Sequence, residues 1–218
     1  MLTVWPGGGI PAVRHVLCIG AHGDDIEIGC GGTILKLLDR DRPPAVTWVV
    51  LTSDARRRAE AQAGARAVLR GAKRKNIVIQ DFEDGFLPYD GGAVKRFFEE
   101  LKGTVAPDLI FTHHRQDLHQ DHRLISDLTW HTFRDHLILE YEVPKFDGDF
   151  GAPNVFVHLD ERVCRRKIRI LLDTFVGERR RRWFTEEVFR AVLRLRGVES
   201  NAPDGYAEAF YCRKLVLI

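Results

Sequence analysis

Short apolar runs alternate with helical segments along the first half of the chain, and this alternation limits the fold more than any other feature. VLCIG at 16–20, VTWVVLTS at 46–53, NIVIQ at 76–80 and DLIFTH at 108–113 read as buried strands. Between them lie GCGGTILKLLDR, with Ile34, Leu37 and Leu38 on one face, an Ala/Arg-rich stretch at 56–70 and an amphipathic stretch at 93–103. A strand that is apolar on both sides needs cover on both faces, and a helix after each strand supplies it. The expectation is an α/β fold: a Rossmann-like, mostly parallel sheet with helices on both faces. With 218 residues, 44% of them hydrophobic, the chain suits a single domain spanning 1–218.

The second half is less regular. A helix is predicted over 119–137, then a Pro/Gly-rich stretch (VPKFDGDFGAPN, 143–154) that reads as a loop or β-excursion inside the domain. A strand at 155–158, helices at 161–174 and 185–196, and a final strand YCRKLVLI complete the reading. No window reaches the ~18 uninterrupted apolar residues of a membrane span, so no transmembrane segment is expected. The first residues, MLTVWPGGGIPAVRH, lack a basic region followed by an apolar one, so no signal peptide is expected either. Cys18, Cys30, Cys164 and Cys212 are far apart with no CxxC, which fits reduced thiols in a cytoplasmic protein. The formal net charge of +2 neither demands nor excludes an acidic partner. The basic runs at 56–58 and 179–182 lack interleaved aromatics, so they read as solvated faces or contacts to an anionic substrate, not nucleic acid. Trp183 and Phe184, after the second run, suit core packing better than a lid.

Chemistry is concentrated in two clusters. Ala21-His22-Gly23-Asp24-Asp25-Ile26-Glu27 follows the first strand, and His113-His114-Arg115-Gln116-Asp117-Leu118-His119-Gln120-Asp121-His122 follows the fourth. Loops after strand C-terminal ends meet in one crevice of an open parallel sheet, so both clusters can build one site. Imidazole and carboxylate are the usual N/O ligands of zinc, and three protein ligands leave a position for water. Such a metal lowers the pKa of water and polarises a carbonyl, with spare carboxylates and histidines left for proton transfer. Blander readings exist for each cluster alone: Asp24 and Asp25 as helix caps, His119 and His122 as exposed residues opening a helix, or a closed structural zinc on His22, Asp25, His119 and His122. Gly29, Gly31 and Gly32 show no G-x-G-x-x-G and no P-loop lysine, so they read as helix–sheet packing, not phosphate binding.

AHGDDIEIGCGGT together with HRQDLHQDH resembles the LmbE-like, or PIG-L, deacetylase family. The likeness extends to Arg57 and Glu60, to the turn from Phe82 to Gly85 and to YAEAF at 206–210, nearly the whole chain. It implies zinc held by His22, Asp25 and His122, with Fe2+ or Co2+ as alternative metals. It implies Asp24 as the general base, His119 as oxyanion stabiliser or acid, and Asp121 as the residue orienting His119. Arg57 and Asp84 would contact sugar hydroxyls. The implied reaction is removal of an N-acyl group, foremost acetyl, from an amino sugar, nucleotide- or lipid-linked sugars included. The implied assembly is a homo-oligomer, a trimer or hexamer.

Two positions depart from the family pattern. Gly23 stands where proline is usual, and Ile26 where glutamate is frequent, with Glu27 one place later. Neither is an expected ligand, so the departures bear on loop stiffness and substrate fit. Competing expectations are an amidase acting on a non-sugar or thiol-conjugate amide with the same site, and a non-catalytic sugar-binding domain. Glu140-Tyr141-Glu142 and Lys145-Phe146-Asp147, beside the Pro/Gly-rich stretch, are candidates for shaping specificity.

Overall fold

The computed structural model describes residues 13–216. Its frame is a seven-stranded sheet: β1 (His15–Gly20), β2 (Ala45–Thr52), β3 (Lys75–Phe82), β4 (Leu109–His113), β5 (Leu137–Tyr141), β6 (Val155–Leu159) and β7 (Tyr206–Tyr211), in the spatial order β3-β2-β1-β4-β5-β7-β6. β1 to β5 run parallel, whereas β7 is antiparallel to both β5 and β6. Six helices pack on this sheet: α1 (Asp25–Leu38), α2 (Ala55–Val68), α3 (Gly91–Thr104), α4 (Gln120–Thr132), α5 (Glu161–Thr174) and α6 (Glu186–Glu199). The expected α/β architecture in one domain is what the structure shows.

Side-chain alternation along the strands sorts the core into two layers. From β1, Val16 and Cys18 join a cluster with residues of α1, α2, α5 and α6, such as Ile34, Val68, Ile168 and Phe189. Leu17 and Ile19 point the other way, into a cluster with Val94 and Phe98 of α3 and Ile125 and Leu128 of α4. Period-2 alternation thus feeds two cores, which is why the strand needs apolar residues throughout.

Three expected boundaries differ. The helix predicted to 137 ends at Thr132, and LILEY forms β5, a short apolar run that the adjacent helical pattern had absorbed. The last strand is Tyr206–Tyr211, ahead of the expected YCRKLVLI, whose final two residues lie outside the described range. Its alternation places Ala207 and Ala209 in the interior, and Glu208 reaches across to α1. Helix α1 starts at Asp25, four residues before the glycines, with Asp25 and Glu27 in the first turn, where the helix dipole favours acids.

The glycines of α1 are packing residues. A Cβ on Gly29 would collide with the Tyr141 ring, whose hydroxyl donates to the Ile19 carbonyl at 2.7 Å. Mid-helix, Gly32 and Thr33 donate their N–H groups to the Glu208 carboxylate at 2.7 and 2.6 Å, and Lys167 of α5 closes the pair at 2.6 Å. This buried ion pair ties α1, α5 and β7 together. The four cysteines are free; Cys212 is only half-buried, unlike the other three. Among the described residues no helix is long and apolar enough to cross a membrane.

Candidate metal centre and its pocket

Strand order reverses at β1 and β4: the chain winds outward through β2 and β3 on one side and through β5 on the other. Crevices at such switch points, beyond the strand C-termini, are the natural ligand sites of open α/β sheets. Both His/Asp clusters lie there, on the loops β1–α1 and β4–α4.

The first loop is locked by Asp25, whose Oδ2 accepts the His22 N–H at 2.6 Å. Asp24 occupies the N-cap position, but its side chain makes no capping bond and instead lines the cavity. The capping account of Asp24 therefore does not hold. In the second loop, His119 is the N-cap of α4, and its Nδ1 accepts the Asp121 N–H at 3.3 Å. An accepting Nδ1 leaves the proton of the neutral ring on Nε2.

Three groups converge between the loops. His22 Nδ1 lies 3.2 Å from His122 Nε2 and 3.2 Å from Asp25 Oδ2, and His122 Nε2 lies 3.5 Å from Asp25 Oδ1. Zinc bonds of about 2.0–2.1 Å in a tetrahedron put ligand atoms about 3.3 Å apart. The observed distances lie near that spacing, the two that reach Asp25 ending on different oxygens of its carboxylate, so these residues are candidates for the metal that the sequence implied. Of the outer nitrogens, His122 Nδ1 is hydrogen-bonded to Asp117 Oδ2 at 2.9 Å, whereas His22 Nε2 makes no hydrogen bond, with Asp84 Oδ1 at 3.0 Å and Asp121 Oδ2 at 3.4 Å from it. Carboxylates behind ligating histidines fix ring orientation and tautomer. Neighbouring triads, Asp25–His113–His122 and His22–His119–His122, also bring their ligand atoms within 4.8 Å of one another. His113 Nε2 in the first of these already accepts the Ala21 N–H at 3.0 Å.

The electrostatics follow from burial and charge. Burial opposes ionisation of Asp25, but His122, His113 and His22 around it hold its carboxyl well below the ordinary aspartate value. Burial and the facing His113 push His122 down to about 3, whereas His22, despite its burial, is held well above the ordinary histidine value by Asp25, Asp121 and Asp84. Asp24 is pushed up to about 7 by burial, then by the charges of Asp25 and Glu178. His119 is lowered by burial and by His22.

A cavity of about 240 Å3 opens over this centre, and His22, Asp24, Asp25, His119, His122, Arg57 and Asp84 all line it. Arg57, at the start of α2, makes an ion pair with Asp84, which follows β3. Asp121 is buried behind the cavity wall. The role expected for its carboxylate, orienting His119, falls to its backbone N–H; the carboxylate itself accepts the Gly85 N–H at 2.7 Å and faces His22. Several lining or supporting residues carried no assigned role in the sequence. Asp117 and His113 sit in the second cluster, where an acid three to five residues from a candidate ligand was the available signal. Phe175, Glu178 and Trp183 reach the cavity from the segment after α5, which no local pattern marks. Phe184 is core and Trp183 lines the cavity, so the two adjacent aromatics divide the roles weighed for them. Of the 179–182 run, only Arg181 lines the cavity.

A mostly parallel sheet with a His/Asp cluster at its switch point defines the class as a doubly wound α/β protein with a candidate metal centre. The sequence model of the PIG-L family, GlcNAc-PI de-N-acetylase, matches residues 17–133, just over half of the chain and both clusters. The chain belongs to this family. Among solved structures it is similar to N,N'-diacetylchitobiose deacetylase from Pyrococcus horikoshii, with 22% identity over 91% of this chain and 83% of that one and a TM-score of 0.66. GalB, the 4-carboxy-2-hydroxymuconate hydratase from Pseudomonas putida, shares 18% identity over 93% and 97% of the chains, with a TM-score of 0.73. The zinc inhibited form of teicoplanin deacetylase Orf2 shares 14% identity over 91% and 97%, with a TM-score of 0.71. At these identities the likeness establishes the fold, and the same fold carries both deacetylases and a hydratase.

Proposed function

We propose that this chain is a zinc-dependent N-deacetylase that removes an acyl group, foremost acetyl, from an amino-sugar substrate. The triangle of His22, Asp25 and His122 carries the reading, because its distances lie near those of a tetrahedral zinc and Asp24 and His119 flank it in one cavity. Family membership supports it, as do the activities of the diacetylchitobiose and teicoplanin deacetylases.

When bound, zinc lowers the pKa of a water molecule and polarises the acyl carbonyl. Asp24, in the cavity and free of any capping bond, takes the proton from the attacking water. His119, with its proton on Nε2, donates a hydrogen bond to the carbonyl oxygen as negative charge grows there, and the proton that Asp24 took from the water passes to the departing nitrogen. Asp121 fixes His119 through its N–H and braces His22 and Gly85 through its carboxylate. Arg57 and Asp84 bind the sugar hydroxyls from the cavity wall. The other N-acyl compounds weighed above, thiol conjugates among them, would use the same centre and differ only in the outer pocket. Iron(II) or cobalt(II) suits the same ligands, and the zinc inhibited form of the Orf2 relative makes metal identity part of the test. The free cysteines fit a reducing, cytoplasmic setting.

The test is metal content per chain together with free-amine release from N-acetylglucosamine derivatives, with and without a chelator, for protein loaded with each metal. About one metal per chain and chelator-sensitive release are expected. A chain that binds no metal after reconstitution would overturn the reading. Metal binding with water addition to an unsaturated acid, and no amine release, would place it with the hydratase instead.

A further inference from the structure

Residues 142–154 join β5 to β6 without forming a helix or strand. Irregular segments of this length inside a compact domain usually serve function, and this one is fastened to the loop that carries His119 and leads into His122. Its anchor is the ion pair of Lys145 and Asp149, whose charged atoms lie 2.5 Å apart. Both side chains are buried, 9% and 8% exposed.

The pair grips three consecutive residues of the β4–α4 loop. Lys145 Nζ lies 3.0 Å from Asp117 Oδ2. Asp149 Oδ2 accepts the Leu118 N–H at 2.8 Å. Asp117 Oδ1 accepts the His119 N–H at 2.8 Å, while its Oδ2 is bonded to His122 Nδ1 at 2.9 Å. One carboxylate therefore joins the backbone of the proposed oxyanion donor, the ring of a proposed ligand and the Lys145 ammonium. From α4, Arg123 donates to the carbonyls of Asp117 and Leu118. The turn's carbonyls are thus held from its own helix, and its carboxylate from the 142–154 segment.

Lys145 also lines the cavity, which would suit a cation awaiting an anionic substrate. Its charge is already matched, however: besides Asp117 and Asp149, Asp147 Oδ2 stands 3.9 Å away. Three carboxylates around one ammonium leave no net positive charge for a ligand. Buried pairs of this kind are screened little by salt and hold their geometry.

We propose that Lys145 is a positioning residue: its ammonium holds the Asp117 carboxylate in the orientation that aligns the His122 ring and the His119 backbone. This rests on the zinc-dependent reading, in which His122 is a ligand and His119 acts on the carbonyl. Carboxylates behind ligating histidines fix the ring, and their loss weakens metal binding by about 10–100-fold. Lys145 stands one step further out, so its effect on the metal passes through Asp117.

The test measures zinc affinity by chelator competition for wild type, Lys145→Met, Asp117→Asn and the double variant. Lys145→Met weakens binding about tenfold, and adds less than about twofold once Asp117 is already Asn. Wild-type affinity in Lys145→Met, or effects that multiply in the double variant, overturn the proposal, because a mere loop anchor acts independently of Asp117. Lys145→Met leaves two buried carboxylates without their cation, a costly change. If it does not fold, the same comparison is made in an Asp149→Asn background, where the amide oxygen still accepts the Leu118 N–H. With N-acetylglucosamine and saturating zinc, Lys145→Met lowers kcat about tenfold with KM within about twofold, and Lys145→Arg recovers most of the loss. A raised KM at unchanged kcat makes Lys145 a substrate contact and overturns the proposal. If the wild type binds zinc and releases no amine, the deacetylase reading alone falls, and the affinity comparison decides the role of Lys145. A wild type that binds no zinc overturns both.

Discussion

Two neighbouring acids show how position, not residue type, assigns a role at the centre. Asp24 projects into the cavity without a capping bond, whereas Asp117 is buried against His122 Nδ1 and Lys145. Replacing each by its isosteric amide separates the roles. Asp24→Asn should lower kcat by about 10²–10⁴ while leaving metal affinity within a few-fold of wild type. Asp117→Asn should weaken metal binding by about 10–100-fold, since the amide no longer holds the imidazole as a strong acceptor. Chelator competition and steady-state kinetics on both variants check the pair. Full turnover in Asp24→Asn would remove it as the base.

At the scale of elements, β5 does more than extend the sheet. Its Glu140, 1% exposed, accepts from His114 at 3.0 Å, the Arg115 N–H at 2.9 Å and the Trp130 indole at 2.5 Å, and pairs with Arg213 at 2.7 Å. One carboxylate thus joins β4's following loop, α4 and the chain after β7. Burial acts to raise its pKa, but the His114 bond, the Arg115 N–H and Arg213 outweigh it and hold the carboxyl below the ordinary glutamate value of 4.5. The folded state therefore binds its proton less readily than the unfolded chain. Its stabilisation is complete above the ordinary value and is lost as pH falls through the lower folded one. Glu140→Gln should cost about 1.5–3 kcal/mol near neutral pH. The gap to wild type should then shrink as the solution is acidified below the ordinary glutamate range. Urea unfolding at a series of pH values measures it, and a gap that stays constant into acid would show that charge is not what Glu140 contributes.

For the whole molecule, the proposed centre bridges the two halves of the sheet's winding, so a metal bound there would link to the fold. The proposed ligands follow β1 and β4, on opposite sides of the strand-order reversal: His22 from a loop, Asp25 and His122 from the first turns of α1 and α4. A metal that binds only the folded chain stabilises it by about 2.7 kcal/mol at one hundred times its Kd. In a domain of this size that corresponds to a Tm rise of roughly 5–10 °C. Thermal unfolding with metal and with chelator should differ by that amount, and His122→Ala should abolish the difference. Identical melting curves for wild type under both conditions would mean that the three residues do not form one site.

The chain's local chemistry determined the mostly parallel sheet and the meeting of the two His/Asp clusters at the candidate site. Apolar runs flanked by helices admit few other folds, and His22, Asp24, Asp25, His119 and His122 sit within short reach of two strand ends. Contacts at long sequence separation were a different matter. β7 is antiparallel because it returns from α6 to pair with β5 and β6, and its register rests on partners 50 to 70 residues away, such as Val155 with Phe210 and Tyr141 with Phe210. LILEY was hidden for the same reason: this five-residue run becomes a strand through the ladder that β4 offers at Leu109–His113. The outer pocket belongs to this second kind. Along the chain Phe146 stood out only as a candidate for shaping specificity and Trp183 as a core residue or a lid; only the packing of the 143–154 loop and the segment after α5 against the switch point brings them to the cavity. Periodicity and ligand spacing are local and therefore readable along one strand of text, whereas a pocket wall is a meeting of distant surfaces that exists only once the chain has folded.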